Sequence, residues 1–236
     1  MTDSPVTLIT GGSSGIGAAT ARRLLDRGHR VAVTARRKDR LDRFAADVNR
    51  PDDLLTLAGD AADLDAVTTA VETTIATFGR LDAAVANAAY ATHDSLADGD
   101  PAGWRDMVLT NVLGPALLIR LALPALRETR GRIVLVGSIA GVIHTAGNIY
   151  GATKWAVTGM AENTRLAVTG DGVGVTLVIP GAVDTNLFDP VGGPTSDRPG
   201  GYLPADQLAA SIEWALTQPA GVDVNTITVR PVGSPR

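Results

Sequence analysis

The sequence predicts an α/β fold: a doubly wound, seven-stranded parallel sheet with helices on both faces. Three observations predict it. Short apolar or β-branched runs alternate along the chain with longer amphipathic stretches. Most of the short runs are continuous rather than alternating, as in strands buried on both faces. A glycine cluster follows the first run and opens the first amphipathic stretch, the end of such a sheet at which ligands sit.

The elements follow in order. Val6–Thr10 is the first strand, and Thr10-Gly11-Gly12-Ser13-Ser14-Gly15-Ile16-Gly17 turns into a helix over Gly15–Asp26. Val31–Thr34 is the second strand, with a helix over Arg40–Asn49, and Leu54–Leu57 is the third, with a helix over Leu64–Phe78. Ala83–Ala86 leads to a long helix over Pro101–Arg127. Arg132–Val136 leads to Tyr150–Val168, Gly174–Ile179 to Ala205–Leu216, and Thr226–Val229 closes the sheet. No repeat and no long linker divides residues 1–236, so one domain is expected. Asn186 to Pro204 breaks the rhythm with eight prolines and glycines and little apolar periodicity. It reads either as a plain surface loop or, given its position after the sixth strand, as a lid over a substrate.

Composition narrows the function. The 236 residues carry a net charge of −4, so no basic field favours nucleic acid. No apolar run approaches the ~20 residues of a membrane span, and Met1 to Pro5 is polar and runs straight into the first strand. The absence of cysteine excludes disulfides and thiolate metal sites, and three scattered histidines, His29, His93 and His144, disfavour zinc. A metal-free, cytoplasmic, soluble protein is expected.

Two motifs carry chemistry. In the glycine turn, Gly11, Gly15 and Gly17 let backbone approach a phosphate closely, and the following helix offers free N–H groups at its positive end. In Tyr150-Gly151-Ala152-Thr153-Lys154, a phenol and an ammonium share a helix face. The ammonium favours the phenolate and is expected to lower the Tyr150 pKa. At the end of the second strand an acidic residue would hydrogen-bond the ribose of NAD. Here Ala35 fills that position and Arg36, Arg37 and Lys38 follow. Guanidinium groups suit a phosphate dianion, so NADP (NADPH) is expected and NAD is less favoured. Arg36 is the first choice for that contact; Lys38 and Arg40 read as solvated, and Asp39 remains within reach of a ribose. Asp60 reads equally as an acceptor for the adenine amine or as a helix cap.

Taken together, Thr10 to Gly17, Asp60, Asn87-Ala88-Ala89, Asn111, Ser138, Tyr150-x-x-x-Lys154 and Pro180-Gly181 resemble the single-domain short-chain dehydrogenase/reductase family along nearly the whole chain. The resemblance implies a Rossmann-type fold and nicotinamide-dependent oxidation or reduction of a small carbonyl or alcohol compound. It implies that Tyr150 is the general acid, that Lys154 holds the nicotinamide ribose, that Ser138 hydrogen-bonds the substrate oxygen, and that Asn111 anchors a water chain to Lys154. It further implies cofactor contacts from Gly11, Ser13, Ser14, Gly15, Ile16, Gly17, Asp60, Ala61, Asn87, Ala88, Pro180, Gly181, Val183 and Thr185, and a homodimer or homotetramer packed through the two long helices. One departure stands out. Ala86-Asn87-Ala88-Ala89 replaces the usual Asn-Asn-Ala-Gly, which adds a methyl at Ala89 on the adenosine side. Ile139, Val142, Ile143, His144, Leu187, Phe188 and Tyr202 are expected to build a largely apolar substrate wall, with His144 reading equally as a solvent-exposed loop residue; Trp155 reads as a packing or interface residue, and Trp104 and Trp214 as packing. The alternative class is a non-catalytic NADP-binding regulatory or sensor protein, which would tolerate changes at Ser138, Tyr150 or Lys154; all three are intact.

Overall fold

In a computed structural model, residues 4–92, 94–185, 187 and 200–234 of the chain are described. The sheet is built from β1 (Val6–Thr10), β2 (Arg30–Ala35), β3 (Leu54–Ala58), β4 (Ala83–Ala86), β5 (Arg132–Val136), β6 (Gly174–Pro180) and β9 (Thr226–Val229). Two further short strands, β7 (Val183–Asp184) and β8 (Leu203–Pro204), pair with each other. The seven strands are parallel in the order β3-β2-β1-β4-β5-β6-β9, the Rossmann-type doubly wound arrangement. Ile9 lies between Val33 and Val85, which fixes the register where the winding reverses.

Side chains alternate between two apolar layers. Leu8, Ile133, Leu135 and Leu177 pack on one face with Leu118 and Leu126, whereas Ile9, Val33, Val134 and Val178 pack on the other with Leu24, Phe44 and Ile212. The helices covering the first face are α3 (Leu64–Phe78), α5 (Gly114–Thr129) and α6 (Ile149–Val168). The second face is covered by α1 (Gly15–Asp26), α2 (Lys38–Val48) and α7 (Ala205–Leu216). Continuous apolar strands thus arise because each needs both faces buried.

Several boundaries differ from expectation. The second helix begins at Lys38 and ends where Asn49 turns left-handed, at φ 49°. The long helix starts as α4 (Pro101–Val108), passes through a π-helical turn over Leu109–Leu113, and continues as α5. Pro115 has no N–H to give the Asn111 carbonyl, so the ordinary ladder cannot close there. This run, Pro101–Thr129, is 29 residues long with a mean hydropathy of 1.6 in its most apolar window, long and apolar enough by length and composition to cross a membrane. The reading that no run approaches that length is therefore corrected. Its packing against α3 and β4 is also what a helix laid on a sheet requires.

The far end of the insertion after β6 carries a short strand. Residues 186 and 188–199, Phe188 among them, lie outside the described residues, but its far end returns as β8, with Leu203 N–H donating to Ala182 O at 2.9 Å. Trp214, expected as packing, is 54% exposed.

Candidate active site

A cleft of about 480 Å³ opens over the C-terminal ends of the strands, at the reversal between β1 and β4. Its phosphate-binding candidate is the turn after β1. Gly11 has φ +67°, where a side chain is strained, and a Cβ there would lie 2.9 Å from Ala88 Cα. A Cβ on Gly17 would collide with the Gly11 carbonyl, so α1 rises directly from behind the turn. Gly17 therefore shapes the turn without lining the cleft, whereas Gly11, Ser13, Ser14, Gly15 and Ile16 line it. Asn87 acts as the buttress: its Nδ2 donates to Thr10 O (2.9 Å) and Gly11 O (3.1 Å). The Asn87 and Ala88 amides both donate to Thr10 Oγ1 at 3.1 Å. Among the described residues no side chain caps α1, so its first amides are available to an anion.

At the end of β2 the cations divide into two sets. Arg37 grips Asp39 (3.2 and 2.8 Å), Arg43 joins it at 2.6 Å, and Lys38 pairs with Asp42 at 2.8 Å. The hydrogen bond from Arg37, reinforced by Arg43, holds the Asp39 carboxyl well below the usual carboxylate range. Asp39 is thus committed to guanidinium groups rather than to a ribose. Arg36 and Arg40 have no side-chain partner among the described residues, and Arg36, Arg37 and Arg40 all line the cleft. The sequence reads Arg40 as merely solvated; the first turn of α2 carries it back to the cleft, a placement the linear sequence hides. Lys38 behaves as expected.

Asp60 does not cap α3. Asp63 does, accepting from Ala66 N at 2.8 Å, while Asp60 accepts from Ala62 N at 2.9 Å and lines the cleft beside Ala61. The added methyl of Ala89 also lies on the cleft wall.

The polar end is assembled by β5 and α6. Ser138 follows β5 and accepts from Ala140 N at 3.2 Å, opening a short turn whose Gly141 abuts the Lys154 backbone. Asn148, which the sequence reading missed, caps α6 by accepting from Gly151 N at 2.7 Å and so starts the helix just before Tyr150. Lys154 is 3% exposed and donates to Val136 O at 3.0 Å, with its Nζ 5.7 Å from the centre of the Tyr150 ring. Burial pulls its pKa down to about 8.

The expected lowering of the Tyr150 pKa is not seen in this state. Desolvation by the surrounding protein pushes the phenol up to about 12, and a hydrogen bond from Ser138 opposes that rise. The ammonium sits over the ring and against a carbonyl instead of on the phenol oxygen.

Asn111, 1% exposed in the π-turn, does not line the cleft. It accepts from Tyr90 N (2.8 Å) and donates to Tyr90 O (2.8 Å) and Thr153 Oγ1 (3.0 Å). Both amide hydrogens are therefore used within the protein. Thr153, between Tyr150 and Lys154 on the chain, had gone unremarked in the sequence. Pro180, Gly181, Val183, Thr185 and Leu187 complete the wall, and Thr185 approaches Gly15 across it. The apolar wall differs from expectation: Ile139 and Val142 pack on the core, and His144 stacks on Trp155 with ring centres 5.6 Å apart.

Similarity to known proteins identifies the family. Residues 5–193 match the short chain dehydrogenase family. An uncharacterized oxidoreductase of Staphylococcus haemolyticus is 34% identical over 96% of this chain and 97% of its own. One from Staphylococcus saprophyticus is 33% identical with the same coverage. Among solved structures, an alcohol dehydrogenase from the archaeon Thermococcus sibiricus, complexed with 5-hydroxy-NADP, superposes with a TM-score of 0.91 at 26% identity over 99% of both chains. ElxO with NADP bound shares the fold, with a TM-score of 0.87 at 24% identity over 97% of this chain and 98% of its own.

Proposed function

The chain belongs to the short chain dehydrogenase family and is an oxidoreductase, and we propose that it uses NADP(H) to interconvert the carbonyl and alcohol of a small, neutral organic substrate. The observation that carries this reading is the convergence of Ser138, Tyr150 and Lys154 on one end of a cleft whose other end is the glycine turn. The residues fit a dinucleotide: Gly11 leaves room for close backbone approach, the amides of α1 carry no side-chain cap among the described residues, and Arg36 and Arg40, without a side-chain partner among those residues, lie beside the β2 end. The complex of the archaeal alcohol dehydrogenase with 5-hydroxy-NADP supports the same cofactor.

When bound, the cofactor supplies a hydride to the substrate carbonyl carbon. The chain's own work is proton supply and charge stabilisation. Tyr150, protonated across the physiological range, donates to the carbonyl oxygen as negative charge develops there, and Ser138 gives that oxygen a second hydrogen bond. Lys154, with one N–H on Val136 O, keeps two for ribose hydroxyls and holds positive charge near the phenol. Arg36 and Arg40 bind the 2′-phosphate, with Arg37 anchored to Asp39 as their support. Cytoplasmic location and assembly as a homodimer or homotetramer complete the proposal. Trp155 (42% exposed) and Leu166 (80% exposed) on α6 support the latter, and size-exclusion chromatography tests it.

Reduced-nicotinamide absorbance, followed with purified protein over ketones, aldehydes and quinones, tests the central reading. Turnover with NADPH exceeding that with NADH is expected. Preference for NADH would overturn the roles of Arg36 and Arg40, and binding without turnover across the panel would favour a sensor.

A further inference from the structure

Four polar groups join the first turn of α6 to the cleft wall at Tyr90 through one buried hydroxyl. Thr153 is 3% exposed. Its Oγ1 donates to Tyr150 O at 2.7 Å and accepts from Asn111 Nδ2 at 3.0 Å. Asn111 in turn holds both the N–H and the C=O of Tyr90, each at 2.8 Å. Every hydrogen in this chain of bonds has a definite direction. Tyr90 N–H fixes Asn111 Oδ1 as the acceptor, so Nδ2 must donate; Thr153 Oγ1 must then accept, which turns its own hydrogen onto Tyr150 O. The first turn of α6, which carries Tyr150, is thereby tied to the π-turn and to Tyr90 on the cleft wall.

We infer that Thr153 is a positioning residue for catalysis, its hydroxyl linking the Asn111 amide to the Tyr150 carbonyl and so setting the placement of Tyr150 relative to the cleft wall. Valine at this site keeps the shape and β-branching but removes the donor and the acceptor. One Asn111 N–H is then buried with no partner, and the Tyr150 carbonyl loses its side-chain donor. The first turn of α6 and the Tyr90 backbone are no longer held in one arrangement. The inference rests on the oxidoreductase reading for its kinetic consequence, but not for the network itself.

The test compares Thr153→Val, Thr153→Ala and Thr153→Ser with the wild-type protein. Removal of the hydroxyl lowers kcat by ~10-fold or more with KM for NADPH unchanged, whereas serine restores kcat to within ~2-fold. A second readout needs no turnover. The chain has three tyrosines, Tyr90, Tyr150 and Tyr202, so isotope-labelled tyrosine gives a spectrum assignable by single Phe substitutions. The Tyr90 and Tyr150 resonances shift in Thr153→Val and Thr153→Ala and return in Thr153→Ser, with Tyr202 unmoved throughout. Unmoved Tyr90 and Tyr150 resonances overturn the inference, as does wild-type kcat in Thr153→Ala. Unfolding of both Val and Ala variants while Ser folds also overturns it, in favour of a purely structural hydroxyl. If the wild-type protein consumes neither cofactor, the oxidoreductase reading fails separately, and the resonances still decide the Thr153 network.

Discussion

A phenol that donates a proton must first hold one, and its surroundings keep Tyr150 protonated up to about 12. Burial acts on Lys154 in the opposite sense and pulls its pKa down to about 8. The rate of carbonyl reduction is therefore expected to decline as pH rises through that value, because the charge beside the phenol is lost while the phenol itself stays protonated. A flat NADPH-oxidation profile from pH 7 to 9 would remove the charged lysine from the mechanism. The same shifts govern stability with opposite signs. Lys154 is lowered from 10.5, so the unfolded chain binds more protons between about 8 and 10.5, and this group's contribution to stability rises with pH in that window. Tyr150 is raised from 10.0, so above 10 its contribution falls until about 12. Tyr150→Phe is expected to abolish turnover while leaving NADPH binding, read by fluorescence titration, near that of the wild-type protein. The Tyr150–Lys154 pair was legible in the sequence because its spacing is local to one helix. Thr153 was not, because its role depends on Asn111, 42 positions away.

At the scale of elements, the glycine turn and α1 act as one rigid piece. Gly17→Ala would push a methyl against the Gly11 carbonyl and Asn87 Nδ2, neither of which is a flexible side-chain end free to move. Overpacking of this kind costs ~1–3 kcal/mol, and here the turn proposed to receive the phosphates absorbs it. The variant is expected to bind NADPH ~10-fold or more weakly by titration. Unchanged affinity would mean that the turn is not the phosphate site. The other end of α1 is clamped to α7, where buried Glu213 (4% exposed) takes hydrogen bonds and charge from Arg23 and Arg27, and Arg23 also reaches Asp206 at 3.1 Å. Glu213→Ala leaves these guanidinium groups facing a cavity. Because both cations are partly exposed, the expected loss is ~2 kcal/mol, below that for a fully buried pair, and is measurable by denaturant unfolding. The strands and most helix limits were readable because continuous apolar runs and amphipathic periods are local properties. The π-turn, the β7–β8 pairing and the return of Arg40 to the cleft were hidden because each is fixed by a contact distant in sequence or by the pitch of a helix.

For the molecule as a whole, the strand order gathers the candidate site at the C-terminal ends of the strands. Reversal between β1 and β4 leaves a gap between helices above the strand ends, and every candidate cofactor contact except the buried Gly17 opens into it. A ligand bound only by the folded state stabilises it by ~2.7 kcal/mol at a hundred times its dissociation constant. For a chain of this size that raises Tm by ~5–10 °C. NADPH is expected to give the larger shift than NADH at equal concentration, because Arg36 and Arg40 contribute only when a 2′-phosphate is present. Both side chains reach solvent at the cleft margin, so salt screens their share and leaves the contacts of the glycine turn largely untouched. Thermal melts with each cofactor, at low ionic strength and again near ~1 M salt, should therefore show the NADPH advantage shrinking while the common shift persists. Equal shifts at low salt, or an NADPH advantage indifferent to salt, would sever cofactor choice from the Arg36–Arg40 pair and return it to the uncharged walls of the cleft.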